Sequence, residues 1–398
     1  MNLHEAKRPV LVLGAGIHQG HAEREAVELA NLLQIPVCLT WGFCDGLPES
    51  SPLRIGTFGT HGTRAANFAV QNADFLLCIG TRLDTKATGT PAKWFAREAY
   101  IVMVDIDQAE IDKMSKIGVK VDGVCMDAKE YIRAGCPQVT FGPARPEGVT
   151  LWRGYPDVSD WLARCQDWKR RYPPVLPEYE REDGINPYVL IRELSRIARP
   201  DDIIVCDTGC AIAWTCQAWE FKEGQRLLHC WNQTPMGYAL PAAVGAHYAT
   251  GKRVICIVGD GAIMMSIGEL ATIGRNTLPI KILLLENGGH AMCRQTEREW
   301  LDGKYCGTST SSGLTFPDFE ECAEPCGILA DEVRKNEDAS FMLDWLFQFD
   351  IPQLLVAHIH PDADVIPKAK YGHANEDQHP LLPREVLAAE MIVPMVGA

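Results

Sequence analysis

The sequence predicts an α/β protein of two doubly wound parallel-sheet domains joined by a Pro-rich linker. Three observations carry this. Short runs rich in Val, Ile and Leu at 10–13, 37–40, 75–79, 100–105, 203–206, 253–258 and 280–285 suit strands buried on both faces. Stretches of helical apolar spacing alternate with them. Between the two sets stand prolines 137, 143, 146, 156, 173, 174, 177 and 187, too closely spaced for regular elements except one amphipathic helix at about 158–171.

Taken in order, the first domain is expected over residues 1–135. The strand at 10–13 leads into Gly14-Ala15-Gly16, a helix follows at 23–33, and helical stretches near 63–71 and 109–114 alternate with the next strands. Gly14-x-Gly16-x-x-x-Gly20 invites a dinucleotide reading, yet Thr40 and Trp41 stand where an acidic residue would end the second strand. Residues 136–185 read as the linker, crossing a surface and carrying the helix at 158–171 as a docking element. The second domain is expected over 186–361. The tail, 362–398, is polar and proline-bearing, then apolar at 386–396, and is expected to pack back onto a domain.

Composition narrows the function. A chain of 398 residues, 46% hydrophobic, can fill more than one core. A net charge of −14 with no offsetting basic stretch argues against nucleic acid or an anionic membrane as partner. The 15 cysteines are scattered through apolar segments, as at Cys78, Cys206 and Cys256, where Cys acts as a small hydrophobe. The spacing of Cys206, Cys210 and Cys216 fits no zinc or iron–sulfur pattern. With no apolar signal core and no run of membrane-spanning length, the expectation is a reduced, cytoplasmic protein.

The most informative motif is Gly259-Asp260-Gly261, with Asn287 following 27 positions later. Gly259 and Gly261 let backbone approach a ligand, and a helix expected to open at Ala262 and run through Ile263, Ile267, Leu270 and Ala271 aims N–H groups at phosphate. Asp260, expected at a solvent-facing turn, offers a hard anionic oxygen to Mg²⁺, and Asn287 offers a second oxygen from the end of the next strand. A helical crossover sets both strand ends on one edge of the sheet, where α/β folds bind ligands.

The Gly-Asp-Gly and Asn pair resembles the thiamine diphosphate motif. The run Met236-Gly237-Tyr238-Ala239-Leu240-Pro241-Ala242-Ala243, then Glu269-Leu270-Ala271-Thr272 and Asn276-Thr277-Leu278-Pro279, is similar to the C-terminal domain of acetolactate-synthase-type enzymes. Residues 9–130 resemble their central domain, notably Gly59-Thr60-His61-Gly62-Thr63, Gly80-Thr81-Arg82-Leu83-Asp84 and Asp105-Ile106-Asp107. The resemblance implies thiamine diphosphate and Mg²⁺ as cofactors. It implies Asp260, Asn287 and the carbonyl of Gly289 as metal ligands, and Gly259, Gly261, Ala262, Gly209 and Cys210 around the diphosphate. It places Met236 beneath the two rings of the cofactor, with the backbone at Thr234 and Met236 against the aminopyrimidine. Met236, Met292 and Thr296 are expected as the catalytic residues, Thr296 standing where relatives making branched-chain amino acid precursors carry Trp. FAD across the central domain stays open: Gly62, Arg82 and Asp105 match its contacts, whereas Thr85-Lys86 replaces an Asp-Arg pair.

Nothing in the sequence resembles the family's pyrimidine-binding domain, whose glutamate activates the cofactor. The resemblance therefore implies a separate pyrimidine-binding-domain subunit, with a heterotetramer expected, and decarboxylation of a 2-oxo acid such as pyruvate with transfer of the two-carbon unit to a carbonyl acceptor. Glu286 replaces the usual Asn before Asn287. The segment Arg294-Gln295-Thr296, with Gly313-Leu314-Thr315-Phe316-Pro317-Asp318-Phe319 and the ending His379-Pro380-Leu381-Leu382-Pro383-Arg384-Glu385, looks more like homologues of polysaccharide biosynthesis. Thr296 in place of an indole leaves space and a hydroxyl, which suits a larger, polar acceptor such as a keto-sugar. A simple 2-oxo-acid decarboxylase, a non-catalytic regulatory subunit and a nucleotide-dependent oxidoreductase remain as alternatives.

Overall fold

Strand-forming runs at the expected places build two six-stranded, wholly parallel sheets in a computed structural model that describes residues 3–136 and 157–396. The chain divides into two compact units, Met1–Pro173 with Ile366–Ala398, and Pro174–Val365. Linker prolines 137, 143, 146 and 156 lie outside the described residues.

In the first unit, β1 (Pro9–Leu13), β2 (Val37–Leu39), β3 (Arg54–Thr57), β4 (Phe75–Ile79), β5 (Tyr100–Asp105) and β6 (Asp122–Cys125) lie in the order β3-β2-β1-β4-β5-β6. Successive side chains point to opposite faces. Leu11, Leu13, Leu77, Ile79, Val102 and Val104 thus enter one core, and Val10, Val12, Leu76, Cys78, Ile101 and Met103 the other. Helices cover both, so the inner strands β1, β2 and β4 carry only apolar side chains, while the edge strand β3 buries Arg54 and Thr57. The helix Ser159–Arg171 docks here: Trp161, Cys165 and Trp168 are buried, and Trp168 packs 5.6 Å from Phe68 between ring centroids. From the returning C-terminal segment, Glu390 at the end of the helix Arg384–Glu390 accepts from Trp168 Nε1 at 2.7 Å, Tyr172 Oη at 2.8 Å and Arg171 Nη2 at 2.9 Å.

In the second unit, β7 (Ile203–Cys206), β8 (Arg226–Leu228), β9 (Val254–Gly259), β10 (Ile280–Glu286), β11 (Leu329–Val333) and β12 (Gln353–His358) lie in the order β11-β12-β10-β9-β7-β8. The chain winds one way from β7 to β8 and the other way from β9 onward. The reversal lies between β7 and β9, the place where open α/β sheets bind ligands at their strand carboxyl ends.

One expectation is corrected here. The helix after Gly259 does not open at Ala262 and run unbroken. A single turn, Asp260–Ile263, gives way to a tight stretch before a second helix, Glu269–Arg275. Bonds from Met265 N to Ala262 O, Ser266 N to Ile263 O and Glu269 N to Ser266 O span three residues, the signature of tightened winding, and Gly268, a poor helix former, follows. Strands β3, β6, β8, β11 and β12 lie outside the expected runs. All but β12 are sheet edges, short or polar, as edges commonly are.

Candidate functional site

β9 ends at Gly259, level with Leu285 on β10, so the residues that follow both strands emerge side by side. Asp260 is not at a solvent-facing turn as expected: it is 1% exposed. Its Oδ1 accepts the Gly261 N–H at 2.6 Å, and its Oδ2 accepts those of Asn287 and Gly289, each at 3.0 Å. Burial raises its pKa, while the backbone N–H bonds oppose that rise. The carboxylate is therefore also the structural pin of the 287–289 turn, because it satisfies donors that have no strand partner beyond Glu286.

The turn itself depends on glycine. Gly289 has φ +148°, and a Cβ there would lie 2.2 Å from the Thr308 carbonyl. His290 N donates to that same carbonyl at 2.9 Å, and Gly289 bridges to Ser309. On the facing side, a Cβ on Gly261 would lie 2.4 Å from Cε1 of His290, so the imidazole rests directly on the Gly261 backbone. Sequence reasoning passed over His290; the only signal was its place just after Gly289.

The donor set suits a hard cation. Among the described residues no three His, Cys, Asp or Glu side chains are grouped to hold a metal. The turn instead gathers one carboxylate, one amide oxygen and one backbone carbonyl, the oxygen chemistry that Mg²⁺ takes beside phosphate. Asp260 Oδ1 keeps a lone-pair direction after its one N–H bond, whereas Oδ2 is occupied by two. The Gly289 carbonyl accepts from Ala291 N at 3.2 Å and keeps its second lone pair among the described residues. Gly261 and Ala262 sit in the first helical turn, although the Gly261 N–H is already engaged by Asp260. Asp260, Asn287, Gly289 and these N–H positions fit a metal-bound diphosphate.

The neighbouring wall rises from β7. Gly209, at φ +82° with open space around its Cβ direction, turns the chain into the helix Cys210–Ala218. Asp207, fully buried, accepts from Thr208 N at 2.9 Å, Ala239 N at 2.8 Å and Gly237 N at 3.2 Å, and its own N–H donates to Ile257 O. That carboxylate ties the loop bearing Thr234 and Met236 to the ends of β7 and β9. It was missed from sequence, where a single Asp after a strand carries no distinguishing spacing. Thr234 holds φ +45°, a strained conformation for a β-branched residue. Met236 is 40% exposed, and Met264 and Met265 are exposed beside it, with Gly237 packed on the Met265 side chain.

Met292 and Thr296 lie on the helix Ala291–Trp300, which follows the turn. The Thr296 hydroxyl is less available than its sequence position suggests, since it donates to the Met292 carbonyl at 3.0 Å. Glu286, before Asn287, pairs with His358 Nδ1 at 2.5 Å, and His358 Nε2 reaches Glu332 at 2.8 Å. Burial raises the Glu286 pKa and His358 opposes it.

At the switch point of the first sheet, the glycine run has a packing explanation. A Cβ on Gly14 would meet the Gly80 carbonyl at 2.4 Å, and one on Gly16 the Gly80 Cα at 2.7 Å. These glycines let the β1 and β4 turns touch backbone to backbone. Of the residues matched to flavin contacts, Arg82 pairs with Asp84 at 3.1 Å, Gly62 receives Gln378 Nε2 on its carbonyl at 2.7 Å, and Asp105 ends β5.

Comparison with known proteins agrees with this geometry. Residues 2–134 match the model of the thiamine pyrophosphate enzyme central domain, and residues 207–357 that of the C-terminal TPP binding domain. The acetolactate synthase large subunit of Corynebacterium glutamicum is 33% identical over 376 residues, 94% of this chain and 58% of that protein. The acetolactate synthase of Mycobacterium avium is 33% identical over the same shares. Isozyme 1 large subunit of acetolactate synthase from Escherichia coli is 29% identical, covering 94% of this chain and 62% of the relative. The chain thus spans about three-fifths of the length of the curated relatives it matches. No helix among the described residues is long and apolar enough to cross a membrane.

Proposed function

From a chain that carries the central and C-terminal TPP-binding domains of the thiamine pyrophosphate enzymes, we propose the diphosphate- and Mg²⁺-binding part of an acetolactate-synthase-like carboligase. Its donor is a 2-oxo acid, pyruvate in the first instance, and its two-carbon unit passes to a carbonyl acceptor, with a keto-sugar as the favoured class. The observation that carries the reading is the convergence of Asp260, Asn287 and Gly289 at the carboxyl ends of β9 and β10, beside the sheet's reversal point.

Asp260, Asn287 and the Gly289 carbonyl hold the metal. Ala262, Gly261, Gly209 and Cys210 line the diphosphate, and Met236 supports the rings, with Thr234 and the loop pinned by Asp207. When bound, thiamine diphosphate supplies the electron sink that lets CO₂ leave a 2-oxo acid. The apolar methionine surface excludes water and disfavours the charged carboxylate relative to its neutral product.

The aminopyrimidine needs a carboxylic acid, which we propose comes from a pyrimidine-binding domain on a separate polypeptide of roughly 150–200 residues, in a symmetric heterotetramer with two sites. Support comes from the exposed Met236, Met264 and Met265 beside the cofactor position, an apolar patch of the kind that marks an interface. The test is pyruvate consumption by residues 1–398 alone and after addition of such a domain. Turnover is expected only with both, and lost when the added domain's glutamate is changed to Gln. Aldehyde release with no use of any acceptor would favour the simple decarboxylase instead.

A further inference from the structure

We infer that Arg294 is the positioning residue of the metal site, holding Asn287 and Gly289 so that their oxygens face the cation. The inference rests on the diphosphate–Mg²⁺ reading above. Arg294 stands on the helix after the turn and is buried. Its Nη2 donates to the backbone carbonyl of Asn287 at 3.0 Å, reaches Asn287 Oδ1 at 3.4 Å and bonds the Pro361 carbonyl. Its Nη1 donates to the Thr308 carbonyl at 3.1 Å, and a Cβ on Gly289 would lie 2.6 Å from the same nitrogen. One planar group thus touches both ends of the 287–289 turn, the segment that bridges to it and the chain leaving β12.

The chemistry of a guanidinium makes this more than a staple. It carries donors and no acceptor, so the Asn287 amide can face it only with its oxygen. The flipped amide, which would turn an NH₂ group toward the metal position, is excluded. At 3.4 Å the contact engages Oδ1 weakly and leaves a lone pair for a cation. All four of these acceptors of Arg294 are neutral, and its Nε has no hydrogen-bond partner among the described residues. Burying a charge on such terms costs stability, and the arrangement returns a fixed ligand geometry. Lys would keep the charge but lose the planar fork that reaches Asn287 and Thr308 together.

The test uses Mn²⁺ as the probe, titrated into the 398-residue chain with the pyrimidine-binding domain and thiamine diphosphate present and read from the electron paramagnetic resonance signal of unbound Mn²⁺. Arg294→Lys is expected to weaken Mn²⁺ binding about 10–100-fold, the usual effect of removing a ligand's outer partner. In an Asn287→Ala background the same substitution should weaken binding by a clearly smaller factor, because the amide contact is already gone and only the hold on the turn backbone remains. A variant with a lowered melting temperature but wild-type Mn²⁺ affinity, or an equally large effect in the Asn287→Ala background, would overturn the inference. Should Arg294→Lys not fold, Arg294→Gln carries the same readout. Wild-type protein showing no coupling between Mn²⁺ and thiamine diphosphate would remove the site reading itself, and the inference with it.

Discussion

Asp260 has two tasks, and they separate experimentally. It offers an oxygen to the proposed metal, and it satisfies the N–H groups of Gly261, Asn287 and Gly289. Asp260→Ala should therefore also lower stability, by about 1–3 kcal/mol for the donors left unpaired in a buried turn, read as a shift in the urea midpoint without any ligand. An unchanged midpoint would mean that the turn holds itself. Two glycines give a sharper contrast. Gly289→Ala drives a Cβ to 2.2 Å from the Thr308 carbonyl and should cost more than about 2 kcal/mol, since backbone must move. Gly209→Ala meets nothing within 4 Å, so only the positive φ opposes it, at roughly 1–2 kcal/mol. Equal costs in urea denaturation would contradict this difference. Sequence spacing foretold that Asp260 and Asn287 would meet. It could not foretell the burial of Asp260, which depends on the turn after β10 folding over the end of β9.

Among the elements, the docking helix Ser159–Arg171 and the returning helix Arg384–Glu390 are joined through one carboxylate. Arg171, with Trp168 and Tyr172, holds the Glu390 carboxyl down at about 2, against an ordinary 4.5. A lowered folded-state pKa means that the contribution is complete above about pH 4.5 and is lost as pH falls toward 2. The melting temperature of the wild type should thus fall more steeply than that of Glu390→Gln over this acid window; parallel curves would refute the pairing. Lys281 on β10 is also lowered, through burial rather than through a partner. Burial lowers its ammonium to about 8, and it donates to the Ile351 carbonyl and Gln353 Oε1, each at 2.7 Å. Between about pH 8 and 10.5 the unfolded chain binds more protons, so this residue makes stability rise with pH there. Lys281→Met should flatten that rise. Central strands such as β9 and β10 were legible because burial on both faces demands continuous apolar runs. Edge strands β3, β6, β8 and β11 were not, because only their partners define them. β12, with Leu354-Leu355-Val356-Ala357, carries the same apolar signature and could have been read. For the central-domain elements, the Thr85-Lys86 replacement leads us to expect a flavin site that is weakly occupied or empty. A purified protein with stoichiometric, tightly held absorbance near the flavin band would contradict it.

At the scale of the whole molecule, the two units share an architecture but differ at their reversal points. In the first, Gly14, Gly16 and Gly80 close the crevice with backbone. In the second, Asp207, Asp260 and the 287–289 turn leave oxygens and helix N-termini around the strand ends. That asymmetry is why we assign the proposed metal and diphosphate site to Pro174–Val365. The Gly-Asp-Gly and Asn pattern was readable because metal and diphosphate demand fixed residue types at a crossover's distance. Asp207, His290 and Arg294 were not, since they act by reaching across loops whose approach only the folded chain defines. The central claim is that this edge binds diphosphate through a metal. Its most direct measurement is calorimetric titration of thiamine diphosphate into the protein, with the pyrimidine-binding domain added, in the presence and absence of Mg²⁺, for wild type and Asp260→Ala. Binding is expected in the wild type with Mg²⁺ alone, and in neither protein without it. Equal, metal-independent affinity in wild type and Asp260→Ala would contradict the assignment.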